Sequence, residues 1–293
     1  MSEEQTATPP QAATEAAPDD ANDLRGFHFR QLLSKPSTWV ATMVFVIAAG
    51  IAGASFLSAT VGAIAFVAAL ILSLLIVFAI ADSRSEAAFF ATYASQHGMS
   101  LSGRGPLPPA TPLLRKGDDR YAEHSFAGPL AEGVDGVLAL YTYEDESTDS
   151  EGNRQTNYYR YTVGLVDLPE CAAHVPELYC RRKSGLRSLE KVEDAFRSTE
   201  RVTLESEALA KRYEIFAGKE QDQVWLRRLF SPTFVVWLGE EAPEKLAFEL
   251  VGGTLCCFVN GHKKSAAELD TIRAATAAVA RRLRDEALET SGT

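Results

Sequence analysis

Four cysteines, Cys171, Cys180, Cys256 and Cys257, are the residues best suited by type to metal or redox chemistry. Cys171 and His174 have a C-x2-H spacing, with Cys180 nearby. A structural zinc ion takes four such ligands, usually as paired clusters. Cys256 and Cys257 are adjacent on an expected strand, where neighbours point to opposite faces, so one of them does not join easily. Reduced, buried cysteines are therefore expected, with no metal and no cofactor. The run Glu144-Asp-Glu-Ser-Thr-Asp-Ser-Glu151 places five acids in eight residues. It lacks the spaced D-x-[DN]-x-[DN]-G pattern of a calcium loop and reads as a solvated hairpin tip. Arg181, Arg182 and Lys183 with Arg187 form the one dense basic cluster, a candidate contact for anionic headgroups. Walker, G-x-G-x-x-G, H-E-x-x-H and G-x-S-x-G motifs are all missing. His97, His124, His174 and His262 are scattered, so no catalytic residue is named.

The elements that must position these residues follow from block composition. The net charge of −10 divides into −6 over residues 1–24, +3 over 25–37 and −7 from residue 82 onward. Residues 1–24 carry acids, Ala, Thr, Pro and Gln with little apolar content, and are expected to be a disordered acidic tail. Residues 25–37 form a basic juxtamembrane segment through Arg25, Arg30 and Lys35. The stretch from Trp39 to Ala81 is 43 residues without a charge. One helix of that length would reach about 65 Å, twice the hydrocarbon thickness of a bilayer. A transmembrane helical hairpin over 38–81 is expected, with spans near Thr38–Phe56 and Thr60–Ala81. Small residues such as Gly50, Ala54, Gly62 and Ala65 would let the two helices approach closely. The spans hold no ionisable group, which argues for an anchor rather than a transport path. Flanking bases place the protein in the cell membrane as a two-span, multi-pass protein with both termini cytoplasmic. The mildly acidic remainder argues against nucleic acid as a partner.

Residues 82–98 are expected as a juxtamembrane helix, starting at a Ser83/Glu86 capping box and stopping at Gly98. A soluble α+β domain is expected over 99–288, with a Pro-rich connector, 105–112, near its start, followed by a short disordered tail, 289–293. Strands are expected at Tyr121–Phe126, Val137–Tyr143, Tyr158–Val166, Leu178–Arg182 and Tyr213–Phe216. Val224, Trp225, Leu226, Leu229 and Phe230 recur at helical spacing. Ser231-Pro232 restarts a helix that ends at Gly239. Gly252-Gly253 turns a hairpin over 246–259. Ser265 with Glu268 opens a last helix whose apolar stripe is Leu269, Ile272, Thr276, Val279 and Leu283. Hairpins mixed with packing helices, without βαβ alternation, give an α+β class: a transmembrane two-helix hairpin followed by a mixed soluble domain.

Four features together resemble a bacterial family of two-helix membrane proteins with a cytoplasmic domain of unknown function. They are Val202-Thr-Leu-Glu-Ser-Glu207, Arg212-Tyr-Glu-Ile-Phe216, Leu229-Phe-Ser-Pro232 and the Gly252-Gly253 hairpin, within residues 83–285. The resemblance implies an anchored cytoplasmic domain and no assigned activity. The expected function is an interaction or sensing module at the inner membrane face. Its partners would be the lipid bilayer, through the hairpin, and an unidentified protein. A tethered enzyme of unrecognised type and an accessory subunit of a membrane complex are the alternatives.

Overall fold

The computed structural model describes residues 40, 43–49, 51–52, 59–148, 152–183, 199–203 and 206–291. The chain divides into two units, Met1–Thr92 and Tyr93–Thr293. In the first, helix α1 spans Ala59–Gln96 and enters the second unit with its last turn. It passes Asp82, Ser83, Arg84 and Glu86 without a break, so the Ser83/Glu86 pair starts no new helix and residues 83–96 continue the one before them. The helix stops where Gly98 takes a positive φ of 64° and Met99 N–H reaches back to the carbonyl of Ala94 at 2.8 Å.

The expected membrane hairpin is overturned. Among the described residues no helix is long and apolar enough to cross a membrane. The expectation counted uncharged residues along the chain, but the described helical residues before Ala59 are only Val40, 43–49 and 51–52. The second stretch is part of a 38-residue helix that runs on into charged sequence. The two-span membrane placement and the cytoplasmic position of both termini rested on that hairpin and fall with it. The acidic tail and the basic segment 25–37 lie outside the described residues, as do Leu57 and Ser58 of the expected Leu57-Ser58-Ala59 connection, whose Ala59 is the first residue of helix α1.

Among the described residues the second unit is built on one antiparallel sheet of nine strands in the order β1-β2-β3-β4-β9-β8-β5-β7-β6. The strands are β1 Ser100–Ser102, β2 Asp119–Ala131, β3 Val134–Thr148, β4 Arg154–Asp167, β5 Glu177–Arg182, β6 Thr199–Val202, β7 Tyr213–Gly218, β8 Ala247–Val251 and β9 Thr254–Asn260. The antiparallel hairpins thus belong to one large sheet packed with helices, and the transmembrane hairpin expected ahead of this α+β domain is overturned. The central strands are buried on both faces. Leu138, Ala139, Leu140 and Tyr141 are each no more than 1% exposed, so the run reads as continuous apolar sequence. Ala139, Tyr141, Tyr143, Tyr161, Val163, Cys256 and Phe258 share one face and pack beneath Leu113 and Leu114. Those two leucines sit in a single turn of 3-10 helix, Leu113–Arg115, at the end of the Pro-rich segment. That segment is therefore a strap across the sheet rather than a linker.

Helix α5, Ala266–Ser291, covers the opposite face, contacting β2, β4 and β9. Its start is set by Ser265, whose Oγ accepts the Glu268 N–H and donates to Glu268 Oε2 at 2.9 Å. The helix runs through Glu289 and Thr290, residues expected as tail. It packs tightly on the sheet at Gly164, where a Cβ would lie 2.1 Å from Thr276 Oγ1. β8 and β9 are joined by Gly252 and Gly253 at φ 56° and 85°. That two-residue turn needs positive φ at both positions.

Between β6 and β8 the described residues form the short helices α2 Glu207–Arg212, α3 Gln223–Leu229 and α4 Pro232–Val236. Ser206 caps α2 by accepting the Leu209 N–H at 3.2 Å, and Asp222 caps α3 by accepting the Val224 N–H at 2.8 Å. Pro232 occupies the first turn of α4. Helical structure does not end at Gly239 but widens into a π-turn, Trp237–Glu241. It is released at Ala242, ahead of Pro243.

Candidate functional site

The four cysteines are buried and reduced. Cys256 faces the strap and Cys257 faces helix α5 beside Thr276. Burial pushes the Cys171 thiol up to about 12 and raises Cys180, Cys256 and Cys257 as well. A thiol that resists ionisation is a poor nucleophile and a poor metal ligand. The His174 ring is engaged with Ser291, Nε2 lying 2.8 Å from its Oγ, while the His174 N–H donates to the Cys171 carbonyl at 3.1 Å. Among the described residues no three His, Cys, Asp or Glu side chains are grouped to hold a metal ion.

The acidic run straddles the end of the β3–β4 hairpin. Glu144 accepts the Tyr121 hydroxyl at 2.8 Å, and the Glu146 N–H donates to Asp118 Oδ2 at 2.8 Å. Asp149 and Glu151 lie outside the described residues. The basic cluster is partly neutralised within the sheet. Arg181, at the end of β5, pairs with Glu214 of β7 at 3.2 Å and lies 4.8 Å over the Phe216 ring. Arg201 reaches the other oxygen of Glu214 at 3.8 Å. Arg182 lies 5.9 Å over the Tyr213 ring, the Lys183 N–H donates to the carbonyl of Arg212, and Arg187 is outside the described residues.

Three polar groupings were not singled out from sequence. The first is Glu249 of β8, 6% exposed under the strap, whose Oε2 accepts the Leu113 N–H at 3.0 Å. Burial raises its carboxyl, and although the Leu113 N–H, Thr111, Lys116 and Arg115 all pull the other way, burial prevails. Lys116 shares this setting and is pushed down to about 8 by burial, against the opposing charges of Glu249 and Asp145. The second grouping is on Asp270 Oδ1. It accepts the Tyr93 hydroxyl at 2.9 Å, sits 3.1 Å from His97 Nε2 and accepts from Arg273 Nε at 3.2 Å. The third is His262, with Nε2 3.1 Å from the Tyr141 carbonyl and 3.2 Å from Thr142 Oγ1. Desolvation lowers both His97 and His262. One signal was available for Glu249. It is a lone carboxylate inside Ala247-Phe-Glu-Leu-Val251, and an isolated acid in a buried strand needs a donor.

Open space lies elsewhere. A depression of about 440 Å³ borders Phe230, Pro232, Val235 and Val236, with Arg227 on its rim. Across α4, a second of about 700 Å³ is lined by Pro232, Phe234, Val236, Trp237 and, from helix α5, Ala278 and Arg282. Phe234 and Trp237 stack with centroids 5.6 Å apart and planes 9° from parallel. Val236 is 50% exposed between the two depressions. None of the groups with shifted ionisation named above lines either of them.

No family model and no curated protein matches this chain. Among solved structures, the mycobacterial trehalose monomycolate transport factor A, TtfA, is similar over 69% of this chain and 94% of that one, at 12% identity and a TM-score of 0.36. A likeness that distant carries no argument about what this protein does. The resemblance to a two-helix membrane family is overturned, both by the absence of any matching family model and by the lack of a membrane-crossing helix among the described residues. Its carrying motifs report local geometry: a capping serine at Ser206, a proline in a first turn at Pro232 and a two-glycine turn at Gly252. Such signals recur wherever those local shapes are needed and do not mark descent.

Proposed function

We propose that the Tyr93–Thr293 unit is a binding module and that helix α4 with its π-turn is the binding face. One observation carries this reading: reactivity and access are separated. Glu249, His97, His262 and the cysteines, whose ionisation is perturbed, are held by hydrogen-bonding or charged partners or buried between sheet, strap and helix. The two depressions on either side of α4 are walled by Phe230, Pro232, Val235 and Val236 and by Pro232, Phe234, Val236 and Trp237, apolar surfaces that offer contact area, with Arg227, Glu241 and Arg282 as their charged residues. An enzyme needs perturbed groups converging on a cleft that substrate can enter. A recognition face needs exposed apolar and aromatic side chains with a polar rim.

Photo-crosslinking tests the reading. A benzophenone amino acid replaces Val236 in the full-length chain, and in a second version it replaces the exposed Thr271 of helix α5. Discrete crosslinked species from position 236, and none from 271, are expected. Equal or absent crosslinking at both positions would remove α4 as the binding face.

A further inference from the structure

We infer that the 700 Å³ depression beside Trp237 takes a protein segment in extended form, carrying a lysine or arginine between apolar residues, with the aliphatic stem on Trp237 and Ala278 and the cation at Glu241. The inference rests on α4 being the binding face and adds the chemistry of what it binds. The floor and walls are Pro232, Val236, Ala278 and the stacked Phe234–Trp237 pair. The depression is open and apolar, so an occupant must supply hydrocarbon along its length.

Charge decides the rest. Two charged side chains line this depression, Arg282 and Glu241. The guanidinium of Arg282 is already committed. It donates to the carbonyls of Leu229 (2.9 Å) and Arg228 and to Glu286 Oε2 (3.1 Å). Glu241 is exposed and makes no ion pair among the described residues. The unanswered charge on the rim is therefore negative, beside an indole whose face attracts cations. Lysine and arginine have the required form, a hydrocarbon stem ending in a cation that stays near water. Trp237 and Glu241 bound the same π-turn, which sets the ring and the carboxylate on the lining of one depression. Interruptions of this kind in helices recur at functional sites.

The test uses the full-length protein and a fluorescein-labelled decapeptide alternating leucine and lysine, with anisotropy read at near-physiological salt. The matching leucine–glutamate peptide is the charge control. Glu146→Gln, on β3 and not among the residues lining the depression, is the control for the chain's overall negative charge. Glu241→Gln is expected to weaken binding about three- to fivefold, the scale of one exposed ion pair. Trp237→Leu is expected to weaken it to a similar or greater degree, while Glu146→Gln leaves it unchanged. Equal losses from Glu241→Gln and Glu146→Gln would show diffuse attraction and overturn the inference. Val236→Asp separates the two levels. If it abolishes binding while Glu241→Gln does nothing and the glutamate peptide binds equally, the binding face survives and the cationic occupant does not. If Val236→Asp changes nothing, both fall.

Discussion

Gly164 is where the packing of sheet against helix is most exposed to test. A Cβ built on this residue of β4 would meet three atoms of Thr276 on helix α5, Oγ1 at 2.1 Å, Cγ2 at 2.8 Å and Cβ at 2.9 Å. All three are nearer than ordinary van der Waals contact, and Thr276 is fully buried, with its hydroxyl held on the Ile272 carbonyl at 2.8 Å. Overpacking of this kind costs about 1–3 kcal/mol. Alanine recovers up to about 1 kcal/mol by restricting the unfolded chain. Gly164→Ala should therefore destabilise by about 1–2 kcal/mol net, a drop of roughly 2–8 °C in a unit of this size. Thr276→Ala removes the Oγ1 and Cγ2 contacts but leaves the Cβ, so it should rescue Gly164→Ala in part. The double mutant is then expected to be more stable than the sum of the single effects by about 0.5–2 kcal/mol. Urea unfolding followed by circular dichroism measures all four proteins of the cycle. Strict additivity, or no cost for Gly164→Ala, would mean that helix α5 does not lie on β4 as described.

Further expectations concern the buried groups. The raised carboxyl of Glu249 means that the folded state holds its proton to higher pH than the unfolded chain does. Its contribution is favourable below the ordinary carboxylate range and is lost as pH rises through the raised value. The stability difference between Glu249→Gln and wild type should therefore move in the variant's favour as pH rises from that range, and a flat difference across a pH series of urea melts would count against a buried, strained carboxyl. Removing its partnership altogether, as in Glu249→Leu, leaves the Leu113 N–H without an acceptor and should cost about 1–3 kcal/mol. Because all four cysteines are buried with raised thiols, a thiol reagent should label none in the native protein and all four in denaturant, and rapid native labelling of Cys180, Cys256 or Cys257 would contradict the placement of β5 and β9. Asp270→Ala strips the shared acceptor from Tyr93 and Arg273 and should cost about 1–2 kcal/mol, with faster hydrogen exchange at residues 93–97 as its local signature.

Sequence reading succeeded where a residue's preference is local. The Tyr, Val and Thr content of 137–143 and 158–166 marks strands that the structure extends to Val134–Thr148 and Arg154–Asp167. Ser265 with Glu268 and Gly252 with Gly253 mark a helix start and a turn, because their chemistry is complete within four residues. It failed where the deciding partner is distant in sequence. The second half of β2 contains Gly128 and Pro129, which argue against a strand. Both are tolerated because β1 pairs only as far as Ala127 and leaves that stretch of β2 at the edge. The strap reads as a linker until Leu113 and Leu114 are seen on the tyrosine face of the sheet. The membrane hairpin was a count of missing charges, which describes composition rather than where helices begin and end. The proposed binding face is not legible in sequence because its parts, Val236, Trp237 and Ala278, are ordinary one by one. The arginine cluster drew attention by density, although Arg181 is held by Glu214.

The strand order has a consequence for how the chain is made. β1 to β4 are consecutive and lie side by side, so they can pair as they emerge from the ribosome. The next neighbour of β4 is β9, which pairs Tyr161 with Asn260 and Asp167 with Thr254. At about 5–20 residues per second, β4 therefore waits for several seconds or more with an open edge flanked by Val163, Leu165 and Val166. An unpaired apolar edge is a template for pairing with another chain. The vulnerable period of this protein is thus its synthesis, and it ends when residues 254–260 close the sheet.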